Sequence, residues 1–354
     1  MKIYKLLILL TLVFVGIYLY FDFYASKFDS GSGNYKGVIN QISEKKEDFK
    51  DIDIKILSGN LKDQTISVTE DQRLYLNKRD FNVGDKVLVD YDQESKNYFI
   101  SDFLRTNILF WLFLIFLGVV ILITKWQGLG SLLGMLISFL ILFKFALPQI
   151  LEGADPIKIA IISSFLIIPA TFFTAHGFNR KSSIAAFSTL ITLIIAGLAA
   201  SIFSDLANLT GLASEEASFL KGVTAEKINF RGLLLAGMLI GILGVLDDIT
   251  VAQAAIVEQL KKSNPKLTFQ ELYKRAMVVG KDHIASMVNT IILIYTGSAL
   301  PLMLLFFDYD AHFTEILNLE PIAEEIIRTL SGSLALTLAV PITTGLALVL
   351  RKKY

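Results

Sequence analysis

Apolar and polar positions follow two different periods along this chain. Between residues 25 and 104 they alternate in twos. Ile52, Ile54 and Ile56 stand among Asp51, Asp53 and Lys55, and Ile66 and Val68 follow a turn at Ser58-Gly59-Asn60. Val83-Gly84-Asp85-Lys86-Val87-Leu88-Val89 and Tyr98-Phe99-Ile100 continue the pattern. Short alternating runs punctuated by glycine and asparagine predict strands and hairpin turns, hence a small all-β, barrel-like domain. Elsewhere apolar residues form blocks: 4–21, 106–124, 129–147, 157–175, 183–203, 231–257, 284–306 and 331–350. A bilayer core of about 30 Å needs roughly 20 apolar residues per helix, so each block predicts one spanning helix. The expected fold is an α-helical polytopic membrane protein of about eight transmembrane helices. Its expected parts are a signal-anchor helix (1–24), an extracytoplasmic β domain (25–104) and a seven-helix domain (105–354).

Composition narrows this picture. The chain has 354 residues, 53% of them hydrophobic, and no cysteine, so disulfides and thiolate metal sites are excluded. Only three histidines are present, and no nucleic-acid signature appears. The formal net charge of zero hides a segregation, because the 25–104 segment alone carries 12 Lys/Arg and 15 Asp/Glu. Between the blocks, Lys2 and Lys5, Lys125, Arg180-Lys181, the 259–282 loop and Arg351-Lys352-Lys353 fall on one side. The 148–156, 204–229 and 307–330 loops, with Asp155, Glu215, Glu216, Asp308, Asp310, Glu324 and Glu325, fall on the other. The positive-inside rule then puts both termini in the cytoplasm of a bacterial cell membrane and the β domain outside. The first block is longer than a cleaved signal's apolar region and lacks an Ala-x-Ala site, so it is expected to be retained.

The block at 231–257 carries the candidate chemistry. Asp247, Asp248 and Gln253 sit where hydrocarbon is expected, and a mid-membrane charge costs at least about 2.5–3.5 kcal/mol. At about 100° per residue, Gly237, Gly241, Gly244 and Asp248 share one narrow helix face. That face is a candidate for close helix packing. Asp247, Thr250 and Gln253, spaced by three, form a polar stripe beside it. The next block adds Asp282, Asn289 and Thr296 at seven-residue spacing. Asn289 and Thr296 read either as glue between helices or as cavity lining. In the 157–175 block, Pro169 frees a backbone carbonyl that Thr171 and Thr174 can re-satisfy. His176 reads as an interfacial residue.

Several blocks in order resemble the YibE/F-like family of bacterial multi-spanning membrane proteins. They are Gly177-Phe178-Asn179-Arg180-Lys181, LTGLASEEA at 209–217, RGLLLAGMLIGILGVLDD at 231–248 and GKDHIASMVNTIILIYTGSALPLMLL at 280–305. The resemblance covers the seven-helix part and implies a membrane protein with presumed transport activity and no agreed substrate. Within it, Asp247 is the residue carried over most directly.

These residues lead to an expectation of gradient-driven transport of a small ion or solute. Asp247 and Asp248 would hold a hard cation or a coupling proton, with Thr250, Gln253, Asn289 and Thr296 along the pathway. Any metal would rest on Asp247 and Asp248. No cofactor is expected, the lipid bilayer is the evident partner, and a homo-oligomer is open. Enzymatic chemistry is disfavoured: HExxH, Gly-x-Ser-x-Gly and nucleotide-binding loops are missing, and the adjacent aspartates diverge by about 100°. The alternative is an assembly, scaffold or envelope-stress protein whose β domain binds a partner.

Overall fold

The computed structural model describes residues 34–46, 49–71, 80–93, 95–224, 227–307 and 313–350. The expected signal-anchor helix lies outside the described residues. The chain divides into two compact units at Val120.

The first unit holds the strands that the alternation predicts: β1 (Asn34–Lys46), β2 (Phe49–Ile56), β3 (Thr65–Asp71), β4 (Lys86–Asp92) and β5 (Asn97–Phe103). They form one antiparallel sheet in the order β3-β2-β1-β4-β5. The long β1 pairs with both β2 and β4, and the edge strands β3 and β5 come alongside each other, which curls the sheet toward a barrel. Its inner face is aliphatic, with Ile52, Ile54, Ile56, Val87 and Val89 wholly buried. Outer positions are polar, and Asp51 and Asp53 accept hydrogen bonds from the cross-strand neighbours Thr69 and Ser67.

Among the described residues, seven helices are long and apolar enough to cross a membrane. They are α1 (Thr106–Thr124), α2 (Trp126–Leu151), α3 (Pro156–His176), α4 (Arg180–Leu206), α6 (Phe230–Ser263), α7 (Phe269–Ser298) and α10 (Glu320–Val349). The shorter α5 (Glu215–Thr224), α8 (Leu300–Phe307) and α9 (Phe313–Leu317) lie in the connections. Polar caps start the helices where capping chemistry predicts. Asp155 opens α3, Asn179 opens α4, Asn229 opens α6, and Thr268 with Glu271 makes a reciprocal box at α7.

Two boundaries depart from the sequence reading. The basic 259–282 segment, read as a loop with a short helix after Asn264-Pro265, is mostly helical: α6 runs on to Ser263, and the helix after Pro265 starts at Phe269 and continues into the long α7. Likewise α10 starts at Glu320 rather than near 331, so Glu324, Glu325 and Arg328 belong to a candidate spanning helix. Pro321 at the first turn explains that early start, since its missing N–H costs nothing there.

Inside the second unit, α6 and α10 form the centre. Half of the most apolar window of each is buried, against 11% for α2 and α7. Both pack against α4, and α2 packs along α3. Because the helices alternate in direction, one end of the bundle collects Arg180, Lys181 and Lys262 and the other collects Asp155, Glu215 and Glu320. These are called the basic and acid ends below.

Candidate functional site

Asp247 and Asp248 fall on α6 between two very different faces. One face is a sealed helix junction. Thr250 is wholly buried, and its hydroxyl meets the Leu246 carbonyl at 2.9 Å and the Thr189 hydroxyl of α4 at 2.8 Å. Gln253 is equally buried, and its Nε2 donates to Thr344 Oγ1 of α10 at 2.7 Å and to the Ala276 carbonyl of α7 at 3.2 Å. Gly280 makes room for it, since a Cβ there would lie 3.0 Å from Gln253 Oε1 and 2.4 Å from Val340 Cγ1. Both polar side chains therefore tie helices together, away from the acids.

The opposite face of α6 is largely open among the described residues. Gly237, Gly241, Gly244 and Asp248 are all exposed. A Cβ at Gly237 or Gly244 would meet nothing within 4 Å among the described residues, and one at Gly241 would meet only the Tyr295 hydroxyl, at 3.3 Å. The expected close packing is not found on these glycines. It occurs on α2 instead, where a Cβ at Gly130 would stand 2.0 Å from the Thr174 carbonyl oxygen. At Gly134 it would stand 2.7 Å from the Thr174 hydroxyl.

Between these faces Asp247 is half-buried and looks into a cavity of about 390 Å³. Ser131 of α2, Thr171 and His176 of α3, and Asp247 and Asp248 supply its polar lining. Asp247 Oδ1 is shut off from solvent and has no hydrogen-bond partner among the described residues. Asp248 sits on the open side, close enough to His283 of α7 for their charges to interact. The Thr171 and Thr174 hydroxyls return to carbonyls one turn back, Ile167 and Ala170, on either side of Pro169. The carbonyl that Pro169 frees is that of Phe165, so these bonds do not re-satisfy it as expected; α3 nonetheless runs unbroken through the proline, and Thr171 lines the cavity.

Asn289 and Thr296 are exposed. Asn289 stands about 160° round α7 from the buried Ile291, so it points away from the bundle centre. The structure thus brings Asp247 and Asp248 together with Ser131, Thr171, His176 and His283. It leaves Thr250, Gln253, Asn289 and Thr296 outside the cavity. Among the described residues no group of three or more His, Asp or Glu side chains could hold a metal ion.

A second acidic centre escaped the sequence reading because it was assigned to a loop. Glu324 on α10 is only 8% exposed, and its Oε1 has no partner among the described residues. The next residue, Glu325, pairs with Arg328 one turn on, at 2.6 Å. Glu320 Oε1 accepts the backbone N–H groups of Thr210 and Gly211, which fastens the α4–α5 connection to the start of α10. The proline at the first helical position and the i,i+3 acid–base pair are the signals that could have shown this helix start.

No curated protein and no solved structure matches the chain. A family profile described as YibE/F-like protein matches residues 112–353, which takes in nearly all of the helical unit. The chain is a membrane protein of the YibE/F-like family.

Proposed function

We propose that this protein moves a small cation or a proton across the membrane, with Asp247 and Asp248 as the accepting groups. The observation that carries this reading is Asp247 itself, half-buried on the wall of a cavity, with its Oδ1 shielded and without a hydrogen-bond partner among the described residues. Desolvating a carboxylate costs several kcal/mol unless a partner compensates, and acids inside spanning helices mark ion pathways. Thr171 and Ser131 add oxygen donors suited to a hard cation.

The open glycine face extends this site along the helix. From Gly237 to Asp248 it spans about 16 Å at 1.5 Å per residue, roughly half a bilayer core. On this reading the path runs along that face of small, exposed residues, from the acid end toward the carboxylates. With no nucleotide-binding motif in the sequence, a gradient would drive the movement. The alternation of basic and acidic connections supports a cytoplasmic basic end, hence a β unit outside the cytoplasm of a bacterial cell.

Proteoliposomes loaded with a pH-sensitive dye, challenged with cation gradients one ion at a time, test this reading. Flux in the wild type that falls at least tenfold in Asp247→Asn supports it. Equal flux in both, or none for any ion tried, rejects it.

A further inference from the structure

A second cavity, of about 410 Å³, opens at the basic end between α4, α6 and the last turns of α10. Its polar wall consists of Asn179, Arg180, Lys181, Glu258, Gln259 and Lys262. The charges are unbalanced. Lys262 is held by Glu258 at 2.7 Å, whereas Arg180 and Lys181 make no ion pair among the described residues. Two uncompensated cations therefore share a concave, partly walled space, which a surface lysine would not.

The cavity's neighbours also indicate its depth. Gly177, with φ 75°, turns the chain between α3 and α4 and projects Phe178, which is 88% exposed. That ring stacks on Phe173 of α3, with centroids 4.3 Å apart. An apolar ring so exposed, at the end of a candidate spanning helix and two residues from Arg180, fits the edge of the hydrocarbon layer, where an apolar span gives way to charged residues. Basic pockets between spanning helices at this depth recognise phosphate headgroups. Arg180 suits the task because its guanidinium can hold two phosphate oxygens at once.

We infer that the cavity walled by Arg180, Lys181 and Lys262 binds a phosphate-bearing anion, with an anionic lipid headgroup favoured by its depth. This site is separate from the aspartate cavity and does not depend on transport. The block Gly177-Phe178-Asn179-Arg180-Lys181, which the transport reading leaves unused, would then be a headgroup clamp.

The test uses full-length protein purified in a zwitterionic detergent. Thermal unfolding is followed against inorganic phosphate, against phosphatidylglycerol and against phosphatidylcholine, each titrated separately. The wild type should be stabilised by phosphatidylglycerol over phosphatidylcholine, and R180Q/K181Q should weaken that binding about thirtyfold, at roughly 1 kcal/mol per basic residue near the surface. R180K/K181R, which keeps both charges, should bind within a fewfold of wild type and guards against a folding defect in the neutral variant. Stabilisation by inorganic phosphate alone, lost in R180Q/K181Q, would keep the site and assign it to a soluble phosphate. The inference is overturned if neither probe stabilises the wild type beyond phosphatidylcholine, or if R180Q/K181Q responds like wild type.

Discussion

Thr189 and Thr250 share a hydrogen bond of 2.8 Å between two helices, with both side chains wholly removed from solvent. This contact claims the Thr250 hydroxyl for the α4–α6 junction, although Asp247 lies only three residues away. Thr250→Val keeps the shape and removes the bond. It should lower stability by about 0.6–1.7 kcal/mol, the range for hydrogen bonds between membrane helices. Flux per folded molecule should stay near wild type. Loss of flux with unchanged thermal unfolding would instead return Thr250 to the pathway.

The glycines provide a sharper contrast, since two sets occur in apolar helices and only one is packed. Gly130→Ala forces a Cβ against the Thr174 backbone carbonyl, which cannot yield as a side-chain tip could. A loss of about 1–3 kcal/mol or more is expected, as for other overpacked cores. Gly244→Ala meets open space and gains helix propensity, so it should be neutral or up to about 1 kcal/mol stabilising. If the path runs along this face, the added methyl stands beside Asp248 and Gly244→Ala should slow transport. Unfolding curves for both variants, with flux for the second, check the pair of statements.

Much of the architecture was legible from periodicity. Alternation located the strands whose isoleucines fill the sheet's interior, and seven apolar blocks became seven long helices. The misplaced boundaries share one cause. The first turns of α7 carry Lys274, Arg275 and Lys281, and those of α10 carry Glu320, Glu324 and Glu325, so hydropathy hides helices that continue beyond the apolar run. The site was legible in part. Helical geometry put Gly237, Gly241, Gly244 and Asp248 on one face and Asp247, Thr250 and Gln253 on a stripe beside it. The stripe divides, however: Thr250 and Gln253 enter helix junctions while Asp247 lines the cavity. Spacing could not say which neighbour each face meets. Thr250 and Gln253 thus looked like cavity ligands but join helices, and Thr171 entered the cavity from a helix whose proline had drawn attention for another reason.

Gln253 is the most demanding of these junctions, because one amide bridges α6 to both α7 and α10. Gln253→Leu fills similar volume but leaves the Thr344 hydroxyl and the Ala276 carbonyl without the donor they now share. Thr344 retains its bond to the Val340 carbonyl at 2.7 Å, which limits the loss. The expected cost is about 1–3 kcal/mol, that of a buried hydrogen-bonding group left unsatisfied. A shift in unfolding midpoint with little change in the response to cations would bear this out.

At the acid end, Glu325 is held by Arg328 while Glu324 is buried beside them without a partner for Oε1. Removing the cation should therefore hurt more than removing either acid. Arg328→Met leaves the neighbouring carboxylates uncompensated and should destabilise by about 3 kcal/mol or somewhat less, since the pair is only partly buried. Glu324→Gln should be close to neutral. A stability ranking in the reverse order would mean that Glu324, not the Glu325–Arg328 pair, anchors this end of α10.

The central claim is that Asp247 and Asp248 form an acceptor site for a cation or proton. The most direct measurement is thermal unfolding of the purified protein against a panel of cations at several pH values, for wild type, Asp247→Asn and Asp248→Asn. A ligand that binds only the folded state at a hundred times its dissociation constant should add about 2.7 kcal/mol. The account predicts stabilisation by one cation, or a dependence on pH, that disappears in Asp247→Asn. Wild type and Asp247→Asn unfolding alike under every cation and at every pH would contradict it.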